Sequence, residues 1–194
     1  MNAISPHIRV ARPEDAHQIQ AIYAPFVCNT PISFEMEPPA VDEIRRRIAS
    51  TLALFPWLVW EEDGRVAGYA YASRHRERLA YQWSVDVSAY VHPEFHRRGI
   101  GGALYRELLG IVRRQGFVNA YGGITLPNAA SVALHESVGF APLCVYRGVG
   151  FKLGRWHDVG WWHCRLGELA PNPSAPRPFS EMGSDYFSVP LSEK

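Results

Sequence analysis

An α/β domain built on a mixed sheet is the fold the sequence predicts, and three observations predict it. Apolar residues recur at helical spacing in four segments and at strand spacing in seven others. The two kinds interleave in the order β-α-α-β-β-β-α-β-α-β-β. An early strand pair is joined by Glu62-Asp63-Gly64-Arg65, whose Asp-Gly is a hairpin signal, whereas later strands flank helices. The sheet is therefore expected to be partly antiparallel and partly parallel, with helices on both faces.

Each element has its own reason. Ile8–Ala11 is a short strand. Pro13-Glu14-Asp15 opens a helix, with proline early and acids in the first turn, where the helix dipole favours them. Ala16, Ile19, Ile22, Tyr23 and Phe26 share one face of it, and Thr30-Pro31 ends it. Val41, Ile44, Ile48 and Leu52 make the stripe of a second helix; Arg45, Arg46 and Arg47 are its solvated face. Strands follow at 57–61 and 66–72, then a charged loop at 73–79. Ser84–Val91 alternates as a strand and Pro93 ends it. A helix runs from Gly99 to about Gln115, with Gly116 at its stop. A strand at 117–125, a short helix at 129–138 and closing strands at 140–146 and 156–166 complete the order. From Ala170 the chain turns to Pro, Ser and Asn, so residues 1–169 are expected to form the domain and 170–194 a proline-rich tail, disordered or extended on the surface.

Composition narrows the function. The 194 residues suffice for one domain with a buried core. Twenty Lys+Arg against 19 Asp+Glu leave a net charge of +1, which argues against a broad grip on DNA or RNA. No apolar stretch is long enough for a bilayer, and no secretory leader is expected. Cys28, Cys144 and Cys164 show no paired spacing, so they read as small core residues of a cytoplasmic protein. No metal site is expected either: His92 and His96 are four apart, but on a segment containing Pro93.

The sharpest feature is strand, loop, glycine-rich turn and helix at 90–109. Gly99, Gly101 and Gly102 let backbone N–H groups approach a ligand, and Arg97 and Arg98 add charge at a helix start: a site for phosphate or pyrophosphate. The alternative is a helix that simply begins with glycines. A P-loop is excluded because Ala103-Leu104 stands where Lys-Ser/Thr is needed. A dinucleotide fingerprint is excluded because Leu104 replaces its third glycine.

The segment His96-Arg97-Arg98-Gly99-Ile100-Gly101 resembles the R/Q-x-x-G-x-G/A acyl-CoA loop of the GNAT superfamily of N-acetyltransferases, with His96 in place of the usual Gln or Arg. A second landmark is Asn128 followed by a helix ending in Gly139-Phe140. The resemblance sharpens to the branch that acetylates phosphinothricin and methionine sulfone or sulfoximine. The matching segments are 55–59, 80–86, 126–128, 134–136 and 154–160, within residues 7–167. It implies the GNAT fold and acetyl-CoA as co-substrate. It also implies direct attack by the amine of a small amino acid analogue, and a homodimer, to which the aromatic run 156–162 also points.

The resemblance implies site roles as well. Tyr90, Val91 and His92 would hold the pantetheine and thioester; His96, Arg97, Arg98, Gly99, Ile100, Gly101 and Gly102 the pyrophosphate; Asn128 the cofactor or its own helix cap. Asp86 stands where the branch has a glutamate proposed as base, and His135 where it has an active-site histidine. Arg78 and Tyr81 match positions beside the acceptor pocket; Phe34 and Trp83 are candidate walls, with core packing as their alternative. His157 reads as a core residue. An acetyltransferase for another small amine, or a non-catalytic acyl-CoA-binding module, are the competing functions. Gly101→Val is expected to weaken CoA binding and leave the fold intact, because a side chain there blocks the pyrophosphate; titration calorimetry with CoA checks it, and unchanged affinity would show the loop to be misplaced.

Overall fold

The computed structural model describes residues 6–183. Seven strands form one sheet in the order β1-β2-β3-β4-β5-β7-β6. They are β1 (His7–Val10), β2 (Trp57–Glu62), β3 (Arg65–Arg74), β4 (Ser84–Val91), β5 (Asn119–Leu126), β6 (Ala141–Lys152) and β7 (Arg155–Arg165). The helices are α1 (Ala16–Asn29), α2 (Val41–Leu54), α3 (Ile100–Gln115) and α4 (Ala129–Ser137). The order and type of elements are those the sequence predicts.

Every neighbouring pair is antiparallel except β4 and β5. That parallel ladder has three rungs, Ser84–Asn119, Val85–Ala120 and Asp86–Tyr121. β4 stays paired with β3 out to Val91, and β5 with β7 out to Leu126. The two strands therefore part after Asp86, and the inner backbone edge of residues 87–91 has no strand beside it.

The halves of the core lie on opposite sheet faces. Val85 and Val87 point to α3, where they meet Leu104, Leu108 and Ile111. On the other face Ile19, Ile22, Ile44 and Ile48 of α1 and α2 cover Val59, Val66 and Tyr69. Period-2 alternation in the strands and the 3.6 period in the helices produce this division. Arg45 and Arg46 are exposed and pair with Asp42 and Glu43 of their own helix, whereas Arg47 also reaches Glu35 at 2.7 Å.

Four expectations change. β3 continues two residues further than the alternation suggested, because Ser73 and Arg74 still pair with Asp86 and Val85. β6 runs to Lys152, and with β7 makes a long hairpin turned at Leu153-Gly154. The cysteines are unpaired, but Cys28 near the end of α1 and Cys144 on the outer strand β6 are exposed and so are not core residues, whereas Cys164 near the end of β7 is half-buried against the α3-side core. Residues 170–183 are extended and tied down: Trp83 Nε1 donates to Ser174 O at 2.8 Å, and Gln115 exchanges bonds with the Arg177 backbone. Phe179 is buried in the α3-side core. The part of the tail from 184 to 194 lies outside the described residues.

Removing the Phe179 ring deletes apolar contact that no neighbour can replace. Phe179→Ala is expected to cost about 3 kcal/mol of stability, read from the urea midpoint at unchanged slope.

Candidate active site

The parting of β4 from β5 opens a cleft of about 550 Å³. Ala89, Tyr90 and Val91 form one wall, and α4 residues including Ser131 and Leu134 the other. The first turn of α3 closes the end. Gly99 caps that helix in the left-handed region, φ 77°, with no side chain on the helix N–H groups. Arg97 shares that unusual backbone, φ 61°, and lines the cleft. The first-turn N–H groups of α3 thus face the cleft with helix-dipole charge behind them.

The cleft fits the acyl-CoA that the glycine loop suggests. A Cβ built on Gly101 would come within 3.1 Å of Leu134 Cδ2, so any side chain there fills the gap between α3 and α4. A phosphate could approach the N–H groups only along this bare backbone. The open inner edge of β4 offers amide groups for an extended pantetheine arm.

The loop residues divide. His96, Arg97, Gly99, Ile100, Gly101, Gly102 and Asn128 line the cleft. His96 Nε2 lies 2.9 Å from Val91 O, and Asn128 Oδ1 accepts from Ser131 N at 3.1 Å, capping α4. Two residues turn elsewhere. Arg98 is held by both Glu62 carboxylate oxygens at 2.8 Å, so it is a surface ion pair rather than part of the lining. His92 Nδ1 accepts from Glu94 N and caps a short turn.

His135 departs furthest from expectation. It is 4% exposed and outside the cleft lining. Its Nδ1 lies 2.8 Å from Ser131 O, and Tyr105 OH 3.1 Å from its Nε2. The carbonyl can only accept, so Nδ1 carries the proton and Nε2 accepts from the phenol. Both nitrogens are therefore committed inside the core. The ring also lies against Gly122, where a Cβ would fall 2.5 Å from Nε2. This contact lets α4 pack tightly on β5 and so shapes the cleft wall.

Asp86 sits on the opposite side of the sheet from α3. Burial raises its pKa above the ordinary carboxylate value, and a hydrogen bond from His75 opposes that rise. The Nδ1–Oδ1 distance is 2.6 Å. His75 was expected in a charged surface loop; it lies one residue beyond the extended β3 and stacks on Tyr121 at 4.4 Å. The face-to-face alternation of Tyr69, Tyr71 and Ser73, carried two residues on, is the signal that would have found it.

The remaining acceptor-side residues are mixed. Tyr81 is half exposed with its ring 6.0 Å from His75, and Arg78 is exposed just before it. Phe34 packs on Gly150 and, at 6.4 Å, on His157. Trp83 is not a wall of this cleft: its indole is bonded to the 170–183 segment. His157 is a core residue, 3% exposed, with Nε2 3.0 Å from Lys152 O.

Two further features carry no sequence signal. Tyr90 lies among Tyr23, Phe26 and Tyr69, at ring distances of 5.0, 5.3 and 5.4 Å. Burial pushes the Tyr23 phenol up to about 12. Lys152 is 3% exposed and donates to the carbonyls of Val27, Ser33 and Glu35 at 2.6, 2.6 and 2.8 Å. One ammonium thus pins the β6–β7 hairpin to the α1–α2 connection, and with it Phe34.

Comparison with known proteins agrees with this geometry. Residues 8–161 match the acetyltransferase (GNAT) domain family. The phosphinothricin N-acetyltransferase of Streptomyces viridochromogenes is 37% identical, over 90% of this chain and 95% of that one. An L-methionine sulfoximine/L-methionine sulfone acetyltransferase of Pseudomonas paraeruginosa is 33% identical, over 89% and 100%. The crystal structure of a phosphinothricin acetyltransferase from Sinorhizobium meliloti in complex with acetyl-CoA superposes with a TM-score of 0.83, at 36% identity over 88% of this chain and 94% of that one.

The buried His135 has a pH signature. Burial lowers its pKa below 6.5. Between that lowered value and the ordinary one the unfolded chain binds more protons, so stability falls as pH drops below about 6.5. His135→Asn should have a lower Tm at pH 8 and lose less of it between pH 7 and 5 than the wild type, measured by thermal melts across that range; an unchanged slope would show that His135 is not buried neutral.

Proposed function

The chain belongs to the GNAT acetyltransferase family and is an N-acetyltransferase that uses acetyl-CoA, and from that premise we propose that its acceptor is the amino group of a small amino acid analogue of the phosphinothricin, methionine sulfoximine or methionine sulfone type. The observation that carries this reading is the pairing of a cleft suited to acyl-CoA with a half-buried carboxylate, Asp86, at the rung where β4 and β5 part. Relatives named for these acceptors, covering most of the chain, support it.

Acetyl-CoA supplies an activated thioester. The protein's part is positioning and proton transfer. The α3 N-terminus, the Gly99–Gly102 backbone and Arg97 would hold the pyrophosphate, with His96 and Asn128 at the margins. Tyr90 and Val91 would lay the arm along the open strand edge. An ammonium has no lone pair, so the amine must lose a proton before it attacks. Asp86, with the His75 imidazole hydrogen-bonded to it, forms the basic centre that draws that proton off, and burial raises the Asp86 pKa above that of an exposed carboxylate. His135 stays a positioning residue that seats α4 on β5. Arg78 and Tyr81 flank the acceptor, where the Arg78 guanidinium suits a carboxylate or phosphinate; Phe34 closes the opposite side.

Two further parts of the reading concern the whole molecule. The outer strand β6 leaves Leu143, Val145, Tyr146, Val149 and Phe151 exposed, and Trp156 of β7 is 67% exposed. An apolar, unpaired edge of this kind favours a second copy, hence a homodimer. Unpaired cysteines and the use of acetyl-CoA favour the cytoplasm.

A thiol-release assay with acetyl-CoA tests the substrate class. Phosphinothricin, methionine sulfone or methionine sulfoximine should turn over faster than unrelated primary amines. Asp86→Asn should lower kcat by about 100-fold or more while CoA still binds. CoA binding without turnover of any amine would instead mark an acyl-CoA-binding module.

A further inference from the structure

We infer that His75 is the group that receives the amine proton, held for that task by Asp86. The inference rests on the proposed amine acetylation and assigns its proton to a different atom.

Three observations carry it. First, the aspartate is one methylene shorter than glutamate, and the structure fills the space beyond it with an imidazole: His75 Nδ1 stands 2.6 Å from Asp86 Oδ1. A carboxylate accepts, so Nδ1 carries the proton and the lone pair lies on Nε2. Nε2 has no hydrogen-bond partner among the described residues, in contrast to His135, whose two nitrogens are both occupied. Second, the imidazole is placed beside the last rung before the strands part, on the opposite sheet face from α3 and outside the cleft lining itself. It stacks on Tyr121 at 4.4 Å, interplanar angle 19°, and Tyr121 is the β5 partner of Asp86 in the last rung before the strands part. Trp161 of β7 meets it edge-on at 6.2 Å, so the ring is clamped between β5 and β7. Third, the side chain is 13% exposed, enough for a ligand to reach an edge and little enough to keep bulk water away.

The charged and titratable groups around the ring are few. They are Asp86 on β4, Tyr121 on β5, Tyr81 with its ring at 6.0 Å, and Arg76, whose guanidinium donates to His75 O and lies over Trp161. Among the described residues only Asp86 makes a hydrogen bond to the ring, and it fixes the Nδ1 edge and so the direction in which Nε2 points.

The step balances. The amine nitrogen gives one proton to His75 Nε2 and attacks the thioester carbon. The C–N bond forms, the C–S bond breaks, and the electron pair leaves on sulfur. The imidazolium passes that first proton to water. The nitrogen loses a second proton as the C–S bond breaks, and the sulfur takes it, so an ammonium sheds two protons, one to water and one to sulfur. Asp86 is the positioning residue in this arrangement, and no residue changes covalently.

His75→Gln separates this role from packing, because the amide can still bond Asp86 but cannot accept a proton. With acetyl-CoA and whichever of phosphinothricin, methionine sulfone, methionine sulfoximine or methionine the wild type acetylates best, kcat should fall about 100-fold or more. The acidic limb of its pH profile should disappear, while CoA affinity and Tm stay near wild type. Wild-type kcat with the limb retained would overturn the inference. Histidine 15N NMR on the full chain gives a readout without turnover: His75 should be the Nδ1–H tautomer, and Asp86→Asn should shift it toward Nε2–H. A wild-type Nε2–H tautomer would overturn the assignment. Failure of all four amines would overturn the substrate reading, and the tautomer would still decide for or against the dyad.

Discussion

The three-rung ladder between β4 and β5 is the constraint on which the rest depends. A parallel pair that ran the length of both strands would satisfy their backbone groups and leave no opening. Here pairing stops at Asp86 and Tyr121, although β4 stays paired with β3 and β5 with β7 beyond that point. The backbone left open along residues 87–91 is costly if buried without partners. A ligand with its own amide groups can satisfy it. The same divergence makes room for α4, brings the α3 N-terminus to the end of the cleft, and leaves Asp86 in the last paired rung before it.

Two histidines show how environment decides role. His135 lies on the expected helix, yet burial and two hydrogen bonds turn it into a wedge between α4, α3 and β5. Gly122 is its counterpart, since no other residue would let the ring so close. His75 lies in a stretch of charges that reads as solvated loop, yet strand extension and aromatic stacking bring it to the carboxylate. A half-buried carboxylate with a raised pKa and an imidazole with one nitrogen open are a chemically complementary pair, and both sit on the sheet face away from the α3 side of the cleft. In the proposed reaction the acyl donor and the amine would approach the gap from different sides.

The periphery serves the same opening. The Lys152 ammonium replaces water with three carbonyls and so fastens the β6–β7 hairpin to the α1–α2 connection. Phe34 is thereby held against Gly150 and His157. On the far side of α3, the 170–183 segment buries Phe179 and ties Trp83, which accounts for that tryptophan's absence from the cleft. A near-neutral surface is consistent with a site whose positive charge is local: one helix terminus and Arg97.

Much of this was legible in the sequence alone. Hydrophobic period, the Asp-Gly turn and the glycine stops determined the eleven elements and their order, because local geometry sets those signals. The Gly99–Gly102 run with Arg97 pointed to a phosphate site, because backbone approach needs glycine at fixed offsets, and the resemblance of that loop and of Asn128 before its helix to the GNAT pattern made acyl-CoA the expected ligand. Only the tertiary structure decided which side chains face that site. Arg98 and Glu62 are 36 positions apart, Asp86 and His75 are 11, and Lys152 reaches carbonyls more than 115 residues away. No period or spacing encodes such pairings. They follow from which strands adjoin, where one ladder stops, and how much room a glycine leaves for a ring.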